Sequence, residues 1–105
     1  MMKKRALLLH PADNCIVALC DIARGDTVYW DSGETLSAQA VSLGHKLACV
    51  AIQRGAKVIK YGAAIGSATR DIQAGEHIHT HNLHSDAIAI FHHHNAGYQP
   101  DQEAP

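Results

Sequence analysis

Three octapeptides in this chain share one form: DIARGDTV (Asp21 to Val28), AIQRGAKV (Ala51 to Val58) and DIQAGEHI (Asp71 to Ile78). In each, an isoleucine precedes a glycine, and a β-branched residue follows. The isoleucine suits the buried end of one strand. The glycine permits a turn conformation that other side chains resist, and the next strand begins at the β-branched residue. The copies recur at unequal intervals, so they read as a recurring turn within one compact β domain and not as a solenoid. Between them lie short runs of strand formers: Ala6–Leu9, Cys15–Leu19, Thr27–Trp30, Lys46–Ala51, Lys57–Lys60 and His77–Asn82. Gly, Asp, Asn or Pro separates the runs, which predicts an all-β fold with many tight connections. Leu36–Ser42 reads as either a short helical turn or an irregular loop, because it lacks a sustained 3.6-residue period. A length of 105 residues is enough for one domain with a modest core. The predicted division is a folded unit over 1–86 and a C-terminal extension over 87–105, polar and proline-bearing at its end, in which His92–His94 reads as part of a solvated tail.

Charge and composition narrow the function classes. The formal net charge is −1 and aromatic content is 5%, which gives neither an electrostatic footprint for nucleic acid nor a base-stacking platform. The apolar stretch behind Lys3, Lys4 and Arg5 is far too short for a signal peptide or a membrane span, and it reads as a first strand behind a basic tip. The expectation is a cytoplasmic protein with no nucleic-acid or membrane partner. Cys15, Cys20 and Cys49 form no CxxC and sit in apolar runs, so they read as buried thiols in a reducing compartment.

The compositional anomaly is nine histidines, all but His10 and His45 lying after residue 76. In GEHIHTHN, Gly75 to Asn82, His77, His79 and His81 occupy alternate positions. On a strand all three would share one face, with Glu76, Ile78 and Thr80 on the other. Imidazoles two residues apart on a strand can converge on one metal ion. Three in register favour a site over chance surface histidines.

Other short stretches leave alternatives open. GHK (Gly44 to Lys46) is either a carboxylate-gripping turn or an exposed polar one. In VIKYG (Val58 to Gly62), Lys60 is either an edge-strand guard or an anion ligand, and Tyr61 reads as a core ring with a bonded hydroxyl. HPADN (His10 to Asn14) ends the first strand, with Asp13 and Asn14 as turn residues bonding their own backbone. No GxSxG, Walker loop, HExxH or GxGxxG signature is present, and no carboxylate pair stands out as an acid/base dyad.

The order LLLHPADN, GHK, VIKYG and GEHIHTHN resembles the N-terminal domain of the altronate/galactarate dehydratase family, from about Arg5 to about Ser85. That domain belongs to the SAF group. The resemblance implies a β-clip fold and a cytoplasmic hydro-lyase acting on sugar acids. It also implies a divalent metal, iron(II) or manganese(II), to stabilise the enediolate and the leaving hydroxyl. His79, His81 and Asn82 fall on the family's most characteristic motif, and His77 joins them by strand geometry. The resemblance assigns metal contact to His79, His81 and His77, and catalytic positions to His45, Lys46, Lys60 and Tyr61. It assigns substrate contact to Lys46, Lys60 and Asn82, the lysines holding a carboxylate.

Full-length sugar-acid dehydratases carry a large region after this module. The expectation is therefore a small subunit or N-terminal module that shares its active site with a large dehydratase-like catalytic partner, either alone or as a homo-oligomer, and is inactive without it. Three rival readings remain. They are the small subunit of a sulfolactate sulfo-lyase, a non-catalytic SAF carbohydrate-binding module, and a metal-storage or metal-sensing domain.

Overall fold

The computed structural model describes residues 2–86, so the expected extension at 87–105, His92–His94 included, lies outside the described residues. The described chain forms nine short strands: β1 (Lys3–Leu7), β2 (Cys15–Ala18), β3 (Thr27–Trp30), β4 (Gly33–Leu36), β5 (Lys46–Ala48), β6 (Lys57–Lys60), β7 (Ala63–Ala68), β8 (His77–Ile78) and β9 (Leu83–His84). It contains no helix, and so none long and apolar enough to cross a membrane. The all-β expectation holds. Two sheets result, one ordered β4-β3-β1-β2-β5-β8 and one ordered β6-β7-β9. All pairs are antiparallel except β1 with β3.

The recurring turn organises both sheets. Gly25, Gly55 and Gly75 have φ of 90°, 87° and 92°, the left-handed value required at the third position of a type II turn. Each turn closes with a backbone bond: Asp26 N to Ala23 O, Ala56 N to Gln53 O, and Glu76 N to Gln73 O. Ile22, Ile52 and Ile72 are buried, each worth about 1.5–3 kcal/mol of apolar transfer.

A fourth copy escaped the sequence reading. In AVSLGHKL, Gly44 has φ 85°, His45 N donates to Ser42 O, and the buried Val41 takes the isoleucine position. The GHK stretch is therefore the exit of a fourth identical turn.

The four turns pair reciprocally. Ile22 and Val41 exchange backbone bonds, as do Ile52 and Ile72. Within each pair, the glycine N–H of one turn reaches a small buried residue four positions before the partner's Ile or Val. Gly25 bonds Ser37 O and Gly44 bonds Ala18 O; Gly55 bonds Ala68 O and Gly75 bonds Ala48 O. The result is two pseudo-twofold units. The first has a core of Ala6, Ile16, Ala18, Ile22, Val28, Val41 and Leu47. The second has Cys15, Ala48, Ile52, Val58, Ala68, Ile72 and Ile78.

Several boundaries differ from expectation. The basic residues of the N-terminus lie within β1, where Arg5 bonds Asp31 and sits over the Tyr29 ring; they are not a tip before it. The run after Lys46 stops at Ala48, because Cys49 N turns to Asn14 O. Of Leu36–Ser42, Leu36 ends β4 and the rest is an irregular connection, not a helical turn. β4 and β7 were not predicted, since GETL and AAIGSA carry few strand formers; their pairing to β3 and β6 makes them strands. All three cysteines are free, as expected, but only Cys15 is buried, while Cys20 and Cys49 are partly exposed; burial pushes the Cys15 thiol up to about 11, so it stays protonated and inert.

Candidate functional site

Two of the four turns meet at one place. β5 pairs with β8, Lys46 opposite Ile78 and Leu47 opposite His77, which sets the GHK turn beside the histidine segment. The expected strand over His77–Asn82 ends at Ile78. His79 to Asn82 form a turn instead, closed by Asn82 N and Leu83 N on His79 O. The reason lies in Asn82. Its side chain is 1% exposed; Oδ1 accepts from His79 N at 2.9 Å and Nδ2 donates to His77 O at 2.9 Å. An amide that bridges two backbone groups this way competes with a continuing ladder and bends the chain. The structure thus places Asn82, expected at the substrate, inside the fold as the brace of the histidine turn. Asn82→Ala is expected to lower unfolding free energy by about 2–3 kcal/mol, because two buried backbone groups lose their partner. A urea denaturation midpoint checks this.

The histidines nevertheless gather. The His77 ring lies 5.3 Å from His45, 5.6 Å from His79 and 5.8 Å from His81, centroid to centroid, with His77 and His79 stacked at 7°. His45 Nδ1 stands 3.2 Å from His77 Nε2. His45 was not grouped with the stripe in the sequence, because only the β5–β8 pairing brings it there. Burial first, then the neighbouring His45, His79 and His81 rings and the Lys46 ammonium, hold His77 below its ordinary value of 6.5. At neutral pH its ring is therefore uncharged, the state in which imidazole ligates a metal or accepts a proton.

Beside the rings lies a pocket of ≈ 210 Å³ lined by Gly44, His45, Lys46, Lys60, Ile78 and His79. Among the described residues no carboxylate lines it. Burial, then the Lys60 charge, hold the half-buried Lys46 below its ordinary pKa, while the Cys15 thiol opposes the shift. Of the five lysines, Lys3, Lys4 and Lys57 have carboxylate partners within 4 Å; Lys46 and Lys60 have none among the described residues. The two unpaired ammonium groups share one cavity, an arrangement that favours an anion.

Tyr61 departs from the core position expected for it. It is 69% exposed at the tip of the β6–β7 hairpin. Tyr61 and Gly62 both have positive φ, 58° and 74°, as a two-residue type I′ turn demands. Tyr61 does not line the Lys46–Lys60 pocket, although it follows Lys60 directly. His10 is likewise apart from the histidine cluster; its Nδ1 accepts from Ala12 N, and its ring lies against Gly62.

Comparison with known proteins places this geometry. Residues 4–86 match the model of the altronate/galactarate dehydratase SAF domain. The chain belongs to that family. The chain is 43% identical over 98 residues to altronate dehydratase of Escherichia coli (strain K12), covering 92% of this chain and 19% of that protein. It is 37% identical over 87 residues to altronate dehydratase of Bacillus subtilis (strain 168), covering 83% and 18%. It is also 33% identical over 84 residues to (2R)-sulfolactate sulfo-lyase subunit alpha of Chromohalobacter salexigens, covering 72% of this chain and 89% of that subunit. The chain thus spans about a fifth of the length of the altronate dehydratases it matches.

The donor set can be tested against a metal. Imidazoles suit iron(II), and two ligands of one ion stand roughly 3.3 Å apart at bond lengths of ~2.0–2.1 Å. The His45 and His77 nitrogens, 3.2 Å apart, meet that spacing. Among the described residues, however, no three His, Cys, Asp or Glu side chains are grouped to hold an ion. The described residues by themselves present no complete donor set.

Proposed function

We propose that this SAF domain supplies the anion-binding wall of a lyase active site acting on a hydroxy acid, and that a large catalytic partner completes the site. The observation that carries the reading is the pair Lys46 and Lys60, without a carboxylate partner among the described residues and facing one pocket with His45 and His79. Lys46 and Lys60 hold the substrate carboxylate, whose acidity at the adjacent carbon rises when its charge is neutralised. A ring beside that carbon, His45 or His79, takes or returns the proton. Ligand cavities that enclose a whole small molecule are typically about 300–1,000 Å³, so a pocket of ≈ 210 Å³ suits one end of a substrate, with the rest covered from outside.

His79, His81 and His77, with His45 spaced as a second ligand to His77, would hold iron(II) or manganese(II), the remaining ligands coming from the partner. When bound, such an ion polarises the substrate's oxygens and stabilises a leaving hydroxyl. The similarity to altronate dehydratases favours dehydration of an altronate- or galactarate-type sugar acid in the cytoplasm. The match along most of a sulfolactate sulfo-lyase subunit alpha supports a second reading, release of sulfite from sulfolactate by the same wall.

The test is turnover of altronate, galactarate and sulfolactate with iron(II) or manganese(II), by this chain alone and with a co-expressed large dehydratase-like chain. Activity only with the partner is the expected result, and the preferred substrate decides between water and sulfite as leaving group. Turnover by the chain alone would overturn the shared-site reading. Inactivity in both settings would favour a binding module.

A further inference from the structure

The HPADN stretch has no place in the chemistry above, yet it makes the longest-range side-chain bonds to the pocket's hairpin. Asp13 is 8% exposed. Its Oδ2 accepts from Tyr61 N at 3.0 Å and its Oδ1 from Gly62 N at 2.8 Å. Asn14 continues the contact, Oδ1 accepting from Ile59 N at 2.8 Å and Nδ2 donating to Lys57 O at 2.9 Å. Asp13 and Asn14 therefore do not bond their own backbone, as turn residues usually do. They grip the backbone on both sides of Lys60.

That grip acts where the hairpin is least self-sufficient. β6 and β7 slip register between Val58 and Ile59, and beyond the slip only Ile59 and Lys60 pair, with Ala64 and Ala63, before the turn. The turn then demands positive φ from Tyr61, a residue that resists it by roughly 1–2 kcal/mol. A Cβ at Gly62 would meet the His10 ring at 3.0 Å, so the tip packs closely against that side chain. A carboxylate with both oxygens on successive N–H groups stabilises this conformation, and such charge-assisted bonds are the strong ones.

We propose that Asp13, supported by Asn14, is a positioning residue for the anion pocket: it locks the Tyr61–Gly62 turn so that Lys60 faces Lys46. The inference deepens the anion-binding reading above and rests on it. Asparagine at position 13 keeps the shape but offers one acceptor oxygen where two are used.

The test is NMR titration of the 105-residue chain with glycerate, a small 2-hydroxy acid, together with amide exchange at Tyr61 and Gly62. Asp13→Asn is expected to weaken glycerate binding about tenfold and to speed exchange at one or both tip amides, with core amides such as Leu47 still protected. The double variant Asp13→Asn/Lys60→Gln is expected to bind no more weakly than Lys60→Gln alone, since both remove the same contact. Adding Tyr61→Asn, which creates an Asn-Gly tip that favours the type I′ turn unaided, should restore binding to Asp13→Asn. It also supplies a folded background if Asp13→Asn alone does not fold. Wild-type affinity in Asp13→Asn, or losses that multiply in the double variant, would overturn the positioning role while leaving the anion site intact. No saturable binding to the wild-type chain, or binding indifferent to both Lys46→Gln and Lys60→Gln, would overturn the anion reading and this inference with it.

Discussion

Gly75→Ala is expected to lower unfolding free energy by about 4 kcal/mol or more, a large share of the roughly 5–15 kcal/mol typical of a small domain. The matching changes at Gly25, Gly44 and Gly55 should each cost only about 1–2 kcal/mol. All four glycines have positive φ in the same turn, so backbone strain is common to them. What differs is the surroundings. A Cβ at Gly25, Gly44 or Gly55 meets nothing within 4 Å, whereas one at Gly75 runs into Leu36 O and its carbonyl carbon. The 36–39 connection lies directly over that turn: Ala38 N donates to Gly75 O, and the Gln39 side-chain oxygen accepts from His77 N at 2.8 Å. An alanine must push this connection away and with it the cover on β8. Urea denaturation of the four variants side by side checks the ranking. A Gly75→Ala midpoint no lower than that of Gly25→Ala would show that the connection yields freely.

Lys46→Met is expected to act with opposite signs on stability and on function. If the proposed function holds, the chain assayed with its large partner should lose about 100-fold or more in kcat/KM, because the proposed, partly desolvated charge pair with the substrate carboxylate would be gone. In the chain without ligand it should unfold at an equal or higher temperature, since the half-buried ammonium lacks a carboxylate partner among the described residues. The pH dependence separates this from a simple packing change. The fold holds the Lys46 pKa below its ordinary 10.5, chiefly by burial. Between the folded value and 10.5 the unfolded chain binds more protons. The stability penalty is therefore complete at neutral pH and is relieved as pH rises through the folded value toward 10.5. Lys46→Met should lose that alkaline gain. A steady-state assay with the partner and a thermal melt at two alkaline pH values test both signs.

The positions named from the sequence divide by the range of the forces that place them. Lys46, Lys60, His45 and His79 line one pocket, as a carboxylate-gripping GHK and an anion-binding Lys60 would require. The histidine stripe is a cluster, but of a different construction: it bends at Ile78 because Asn82 reaches back to His77 O and His79 N. Alternation alone cannot show this, since a buried asparagine and a strand-edge asparagine look alike in a sequence. Tyr61 was misplaced for a similar reason. Period-two alternation would put Tyr61 on the face of Ile59, but Tyr61 stands at the hairpin tip, beyond the strand to which alternation applies.

By itself the sequence determined the local grammar of this protein: glycine turns entered from a buried isoleucine and left into a β-branched strand, hence an all-β domain of short elements. Those signals are legible because a turn is specified by a few adjacent residues and the conformations each can adopt. Only the tertiary structure decided how the turns pair, that AVSLGHKL is a fourth copy, and that Asp13 and Asn14 hold a hairpin more than forty residues away. Backbone bonds between distant segments, and a side chain's choice of a distant partner, leave no period in the sequence. They become visible only when the chain has closed on itself and each buried polar group must find an acceptor or donor.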